Sequence, residues 1–169
     1  MNKVIFLDRD GVINREIGSY IYNLKDFVIN DGFEQALGIW SSDGYSFVIV
    51  TNQGGIAKGL YHKNDVEAIN VFLRNWFSSR EYNLLNILFC PHHNTIESCI
   101  CRKPNSLMLE KIIARYDVSV EHSFLIGDSD RDIKAANKVG LRAFKIKANS
   151  NLKELILYND ISSWLSFAK

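Results

Sequence analysis

The stretch KVIFLDRDG, residues 3–11, runs the apolar side chains Val4 to Leu7 straight into Asp8, Asp10 and Gly11. An apolar run this short, closed by polar punctuation, reads as a buried strand from Lys3 to Asp8 with acids at its carboxyl end. Outward from it the same pattern returns. YSFVIVT at 45–51 and LLNILFC at 84–90 have the aromatic and branched composition of strands, and SFLIGD at 123–128 and LRAFKI at 141–146 follow. Between these runs lie amphipathic stretches: one opened by Asp31 and stopped by Gly44, one from Asn64 to Arg80, one from about Asn105 to Tyr116, one from about Asp130 to Val139, and a closing one from Asn151 to Phe167. In the second, Val66, Ile69, Phe72, Leu73 and Phe77 recur at helical spacing. The alternation predicts an α/β fold: a doubly wound, mainly parallel sheet with helices on both faces, whose ligand site lies outside the carboxyl ends of the strands.

A chain of 169 residues suits a single domain, 1–169, with a core that needs no disulfide staples. Charged residues at 23% and apolar residues at 47% describe an ordinary globular protein, and a net charge of +1 argues against a dedicated nucleic-acid binder. The first residues form neither a signal peptide nor a membrane span, so the expected location is the cytoplasm, with no membrane partner and a monomeric state. Thiols stay reduced there, so the three cysteines crowded into CPHHNTIESCICRKP, residues 90–104, read as metal ligands rather than disulfides.

Three strand ends carry polar chemistry: Asp8 with Asp10, Thr51 with Asn52, and Asp128 with Asp132. Any one of these alone is an ordinary cap or turn residue. Together they specify a site, because neighbouring first and fourth strands would bring Asp8 and Asp128 onto one point, and a carboxylate cluster calls for a hard cation such as Mg²⁺. Phosphoryl transfer needs a nucleophile, an acid for the leaving oxygen, and donors around the equatorial oxygens. Asp8 is placed for the first role and Asp10 for the second. Thr51, Asn52 and the backbone of Gly54 and Gly55 are placed to donate, and Lys103 to bring a positive charge. Asp132 reads either as a ligand of metal-bound water or as an orienter of Lys103.

FLDRDGVIN, VIVTNQGGIAKG, CRKP and LIGDSDRD resemble, in order, the four motifs of the haloacid dehalogenase (HAD) superfamily of phosphatases. Within it they look like the branch of D-glycero-D-manno-heptose 1,7-bisphosphate phosphatases and histidinol phosphatases. The resemblance implies a HAD-like Rossmannoid sheet without an inserted cap domain, and an aspartyl-phosphate on Asp8 with Asp10 as acid and base. It places Asp8, the Asp10 carbonyl and Asp128 on Mg²⁺, Thr51, Asn52 and Lys103 on the transferring phosphate, and Arg102 on the rest of a small sugar-phosphate substrate. It also implies that Cys90, His92, Cys99 and Cys101, a C-x-H and a C-x-C separated by six residues, hold a structural Zn²⁺ in a loop spanning 90–101, with His93 spare. Gly54, Ser129 and Ser106-Leu107 depart from the branch, which has Ser, Lys and Pro-Gly at these places.

Without a cap, the substrate has to be read by three short loops: 14–30, 54–62 and the zinc loop. The first two are similar to the heptose bisphosphate enzymes, whereas the short zinc loop is similar to the histidinol branch; the expectation is removal of the 7-phosphate from the heptose bisphosphate, with histidinol phosphate as the alternative. A phospho-accepting receiver domain would share the fold and residue types, but a stable phosphoaspartate has no use for Asp10 two residues on. A non-catalytic zinc-loop binding protein has no use for the pair at all. The DNA-end phosphatases share the first two motifs but need a basic, aromatic groove that this chain lacks.

Overall fold

The computed structural model describes residues 1–158. Five parallel strands form one sheet in the order β3-β2-β1-β4-β5: β1 Val4–Leu7, β2 Ser46–Asn52, β3 Leu84–Cys90, β4 Phe124–Gly127 and β5 Arg142–Lys145. The helices are α1 Phe33–Ser42, α2 Lys63–Ser78, α3 Leu107–Arg115, α4 Asp130–Asn137 and α5 Leu152–Tyr158. Each expected element is present within about two residues of its predicted bounds, and α5 is the start of the closing helix, whose remainder lies outside the described residues. No helix among the described residues is long and apolar enough to cross a membrane.

The opening run is apolar without alternation because β1 is central and both of its faces are covered. Ile5 and Leu7, with Phe47, Ile49, Phe124 and Ile126, point into a core closed by Phe33, Leu37 and Trp40 of α1, Ile69, Leu73 and Phe77 of α2, and Leu152 and Ile156 of α5. Val4 and Phe6, with Val48, Val50 and Leu125, point the other way against Leu109 and Ile112 of α3 and Ala135 and Ala136 of α4. This is the period-2 geometry of a strand acting on a sheet buried on two sides. Each such large apolar side chain contributes about 1.5–3 kcal/mol when fully buried, so the two cores together, and no single clasp, hold the sheet.

The register sets the site. Leu7 pairs with Ile49 on one side and Ile126 on the other, and the Asp8 amide donates to the Ile126 carbonyl at 3.0 Å. Asp8 and Asp128 therefore leave neighbouring strands at the same edge. The connection from residue 8 to residue 32 holds only a single 3-10 turn, Leu24–Asp26, and two isolated bridges through Asn14, so no cap domain is inserted there.

Candidate active site

At the carboxyl edge of the sheet a cleft of about 480 Å³ is lined by Asp8, Asp10, Thr51, Asn52, Arg102, Lys103 and Asp128, the residues that the motifs single out for phosphate and magnesium chemistry. Asp132, His93 and Arg131 share its wall, and Glu16, Ser19 and Tyr20 close it from the first long loop.

Its floor is an ionic knot. The Lys103 ammonium lies 3.0 Å from Asp8 Oδ1 and 2.5 Å from Asp132 Oδ1, and donates to the Val50 carbonyl at 2.7 Å. Lys103 is buried, and burial alone would depress its ammonium, but Asp8 and Asp132 outweigh that and hold it charged. One cation does not balance the acids around it. Burial pushes the Asp8 carboxyl up to about 7 against the opposing pull of Lys103, with Asp132 and Asp10 pushing further. Burial and then Asp132 likewise raise Asp128. Carboxylate oxygens of Asp8, Asp128 and Asp132 all lie within 4.8 Å of one another, a set of hard ligands whose excess negative charge a divalent cation would remove. The donors thus fit Mg²⁺, which Asp8 and Asp128 would hold, Asp132 being already engaged by Lys103 and by the Ser129 amide at 3.1 Å. Gly11 makes the approach feasible: its φ is +83°, and a Cβ there would collide with the Asp128 carboxylate.

Asp132 is thus the orienter of Lys103 and, through the same side chain, the N3 acid of the α4 capping box. Lys103→Met should leave two buried carboxylates facing each other. A stability loss of about 3–5 kcal/mol is expected, visible as a lowered thermal midpoint, together with loss of activity. An unchanged midpoint would contradict the ionic knot.

Asp10 points to a second network, which the sequence reading did not assign. Arg9, fully buried, donates from Nη2 to both Asp10 oxygens at 3.0 Å and to the Ile21 carbonyl at 2.7 Å. Asn14 adds a bond to Asp10 Oδ1 at 3.0 Å, and Gln53 adds one to Oδ2 at 3.0 Å. The Asn52 side chain clasps the Lys103 backbone, donating to the carbonyl at 2.9 Å and accepting from the amide at 3.0 Å, while the residue itself lines the cleft. The signals were present but mute: an Arg between two acids, and a Gln directly after Thr-Asn, are unremarkable until the turns fold back.

The zinc loop forms a closed quartet. Cys90 Sγ lies 3.7 Å from Cys99 Sγ, 3.2 Å from Cys101 Sγ and 3.5 Å from His92 Nδ1, which is itself 3.2 Å from Cys101 Sγ. Ligands held at about 2.0–2.3 Å around a tetrahedral zinc stand roughly 3.3–3.8 Å apart, so the donor set and its edges fit that ion through Nδ1 of the histidine. Burial, with Cys101 next to it, pushes the Cys90 thiol well up, so a captured metal would have to displace its proton. His93 stands outside the quartet, its Nδ1 at 2.8 Å from Thr95 Oγ1.

A family profile described as HAD-hydrolase-like matches residues 100–160. The D-glycero-beta-D-manno-heptose-1,7-bisphosphate 7-phosphatase of Helicobacter pylori is 36% identical over 168 residues, which cover 97% of this chain and 91% of that protein. The chain belongs to the HAD-like hydrolases, in the family of this relative. The alpha-anomer enzyme of Photorhabdus laumondii is 34% identical over 159 residues, covering 90% of this HAD-like hydrolase and 86% of the relative. Among solved structures, the D,D-heptose 1.7-bisphosphate phosphatase from B. bronchiseptica, complexed with magnesium and phosphate, superposes with a TM-score of 0.79 at 30% identity, covering 92% of this chain and 86% of that one.

Two of the departures now have a local account. A Cβ at Gly54 would stand 2.9 Å from Arg102 Nη1 and from His93 Cδ2, so the glycine in this HAD-like hydrolase lets both close over the cleft. Ser129 caps α4, and its hydroxyl accepts from the Arg131 amide at 3.2 Å and Nε at 3.1 Å, which holds Arg131 beside the mouth.

Proposed function

We propose that this chain is a magnesium-dependent phosphatase that removes the 7-phosphate of D-glycero-D-manno-heptose 1,7-bisphosphate. The observation that carries the reading is the meeting of Asp8, Asp128 and Lys103 at one strand edge; the names of the relatives supply the substrate. Asp8 attacks phosphorus, so a carboxylate O–P bond forms as the P–O bond to the sugar breaks, and Asp10 gives its proton to the departing alkoxide. Asp10 then takes a proton from water, which attacks the aspartyl-phosphate and releases inorganic phosphate and the Asp8 carboxylate. Bound Mg²⁺ would supply charge neutralisation between Asp8, Asp128 and the incoming phosphate. Lys103, held in place by Asp132 and Asn52, neutralises the equatorial oxygens, and Thr51 donates to them.

Arg102 is fixed by a bond from Nη1 to the His92 carbonyl at 2.9 Å and lines the cleft, which supports assigning it to the rest of the substrate. Losing a charge-assisted bond of about 1.5–3 kcal/mol corresponds to about 10- to 100-fold in affinity. Arg102→Ala should therefore raise KM for the bisphosphate by that factor and leave KM for an aryl phosphate within a few fold; equal shifts on both would remove Arg102 from substrate recognition. The reading as a whole is tested by phosphate release from heptose bisphosphate, histidinol phosphate and fructose bisphosphate, with Mg²⁺ and with EDTA. The heptose bisphosphate should have the highest kcat/KM and need the metal. Preference for histidinol phosphate would reassign the substrate, and inactivity on all three would overturn the enzyme.

A further inference from the structure

Gln53 sits at the centre of the second network. It is 1% exposed, and its carboxamide is committed on both ends. Nε2 donates to Asp10 Oδ2 at 3.0 Å and to Thr51 Oγ1 at 2.9 Å, while Oε1 accepts from the Tyr61 hydroxyl at 2.8 Å. An ionised carboxylate only accepts, so turning the amide over would set Oε1 against Asp10 Oδ2, and the contact with Asp10 fixes which way the carboxamide faces. Two consequences follow from this polarity. Thr51 accepts from Gln53, which leaves its own hydroxyl proton to point elsewhere, and the cleft is on its open side. Asp10 is pulled from the Gln53 side against the pull of Arg9 and Asn14, so its carboxylate is aimed from both directions.

Tyr61 is in turn held by the recognition loops. Its ring stacks on Tyr22 at 5.1 Å with an interplanar angle of 10°, and meets the edge of Tyr20, a cleft residue, at 5.7 Å. Gly55 makes room for that ring, since a Cβ there would collide with it. We infer that Gln53 and Tyr61 are positioning residues for this hydrolase: they aim the Asp10 carboxylate, and they tie that aim to the aromatic loop that receives the leaving group. The inference rests on Asp10 being the acid and base of the proposed phosphatase.

The discriminating readout is the leaving group. A sugar alkoxide needs a proton as the P–O bond breaks, whereas p-nitrophenolate departs without one, and kcat/KM reports the step up to phosphoryl transfer for both. Gln53→Met, close in volume and without donors, should lower kcat/KM for the sugar phosphate by about 10- to 100-fold, a share of what general acid catalysis supplies, and lower it less than about three-fold for p-nitrophenyl phosphate. Tyr61→Phe, which keeps the ring stack, should move the same ratio in the same direction by about three- to ten-fold, so the inference survives a folding failure of the first variant. Zinc content and melting temperature serve as controls. Equal losses on the two substrates, or none in Tyr61→Phe, would overturn the positioning role. Asp10→Asn measured alongside separates the two levels: if it too lacks the leaving-group dependence, the acid assignment falls; if it has the dependence and the Gln53 and Tyr61 variants do not, only this inference falls.

Discussion

Asp8→Asn is expected to lower turnover of the heptose bisphosphate by about 10⁴-fold or more while leaving the protein folded, as read by phosphate release and by a thermal melt of the same sample. The activity argument is chemical: a carboxamide oxygen is a poor nucleophile for phosphorus and makes a poor partner for a divalent cation, so the covalent route closes. The stability argument is electrostatic. Burial and the neighbouring Asp132 and Asp10 disfavour the Asp8 charge in the folded protein, and only Lys103 favours it. Exchanging that charge for an amide of the same shape removes repulsion along with attraction, and Lys103 keeps Asp132 and the Val50 carbonyl as partners. The melting temperature should therefore stay level or rise, as is common where a site stores electrostatic tension for chemistry. Turnover within ten-fold of the parent protein would remove Asp8 from the nucleophile's role.

Cys101→Ser is expected to abolish stoichiometric zinc and to cut activity by about 100-fold or more. A structural zinc site supplies on the order of 10–16 kcal/mol of apparent binding free energy in small peptides, and most of it depends on the complete thiolate set. Cys101 makes two of the short edges of the quartet, to Cys90 and to His92, so its loss opens the tetrahedron rather than trimming it. The sheet should survive, because the strands are held by the two apolar cores, which need no metal. Far-ultraviolet circular dichroism should change little. What fails is placement: Arg102 and Lys103 follow directly, and the Asn105 side chain hangs from the Cys99 carbonyl at 3.0 Å. Metal analysis giving one zinc per chain in the variant would contradict the four-ligand set.

How far the chain could be read beforehand follows the range of the interactions involved. The strands were legible because burial on both faces writes an unbroken apolar run into Val4–Leu7 and Phe124–Gly127, and the helices because Val66, Ile69, Leu73 and Phe77 repeat on one face. The zinc quartet was legible because a tetrahedral ion imposes spacing within one short loop. Asp132 was legible only as one of two alternatives, a ligand of metal-bound water or an orienter of Lys103, since a first-turn acid looks the same whether it faces solvent or a buried lysine. The clasp of Asn52 was not legible: its side-chain amide matches a backbone amide and carbonyl, and Lys103, 51 residues on, supplies both. Arg9, Gln53 and Tyr61 were missed for a similar reason: their meeting depends on two turns folding back over the sheet edge, which no local period encodes.

The short tether from Cys101 to Lys103 has an outcome at the level of the cell. One divalent ion would be borrowed anew by the reaction, while another would be installed once, when the loop sets, and would anchor the segment that leads into Arg102 and Lys103. Molecules made during a shortage of the second would accumulate intact but silent, and a later supply would switch on this standing stock without any new synthesis.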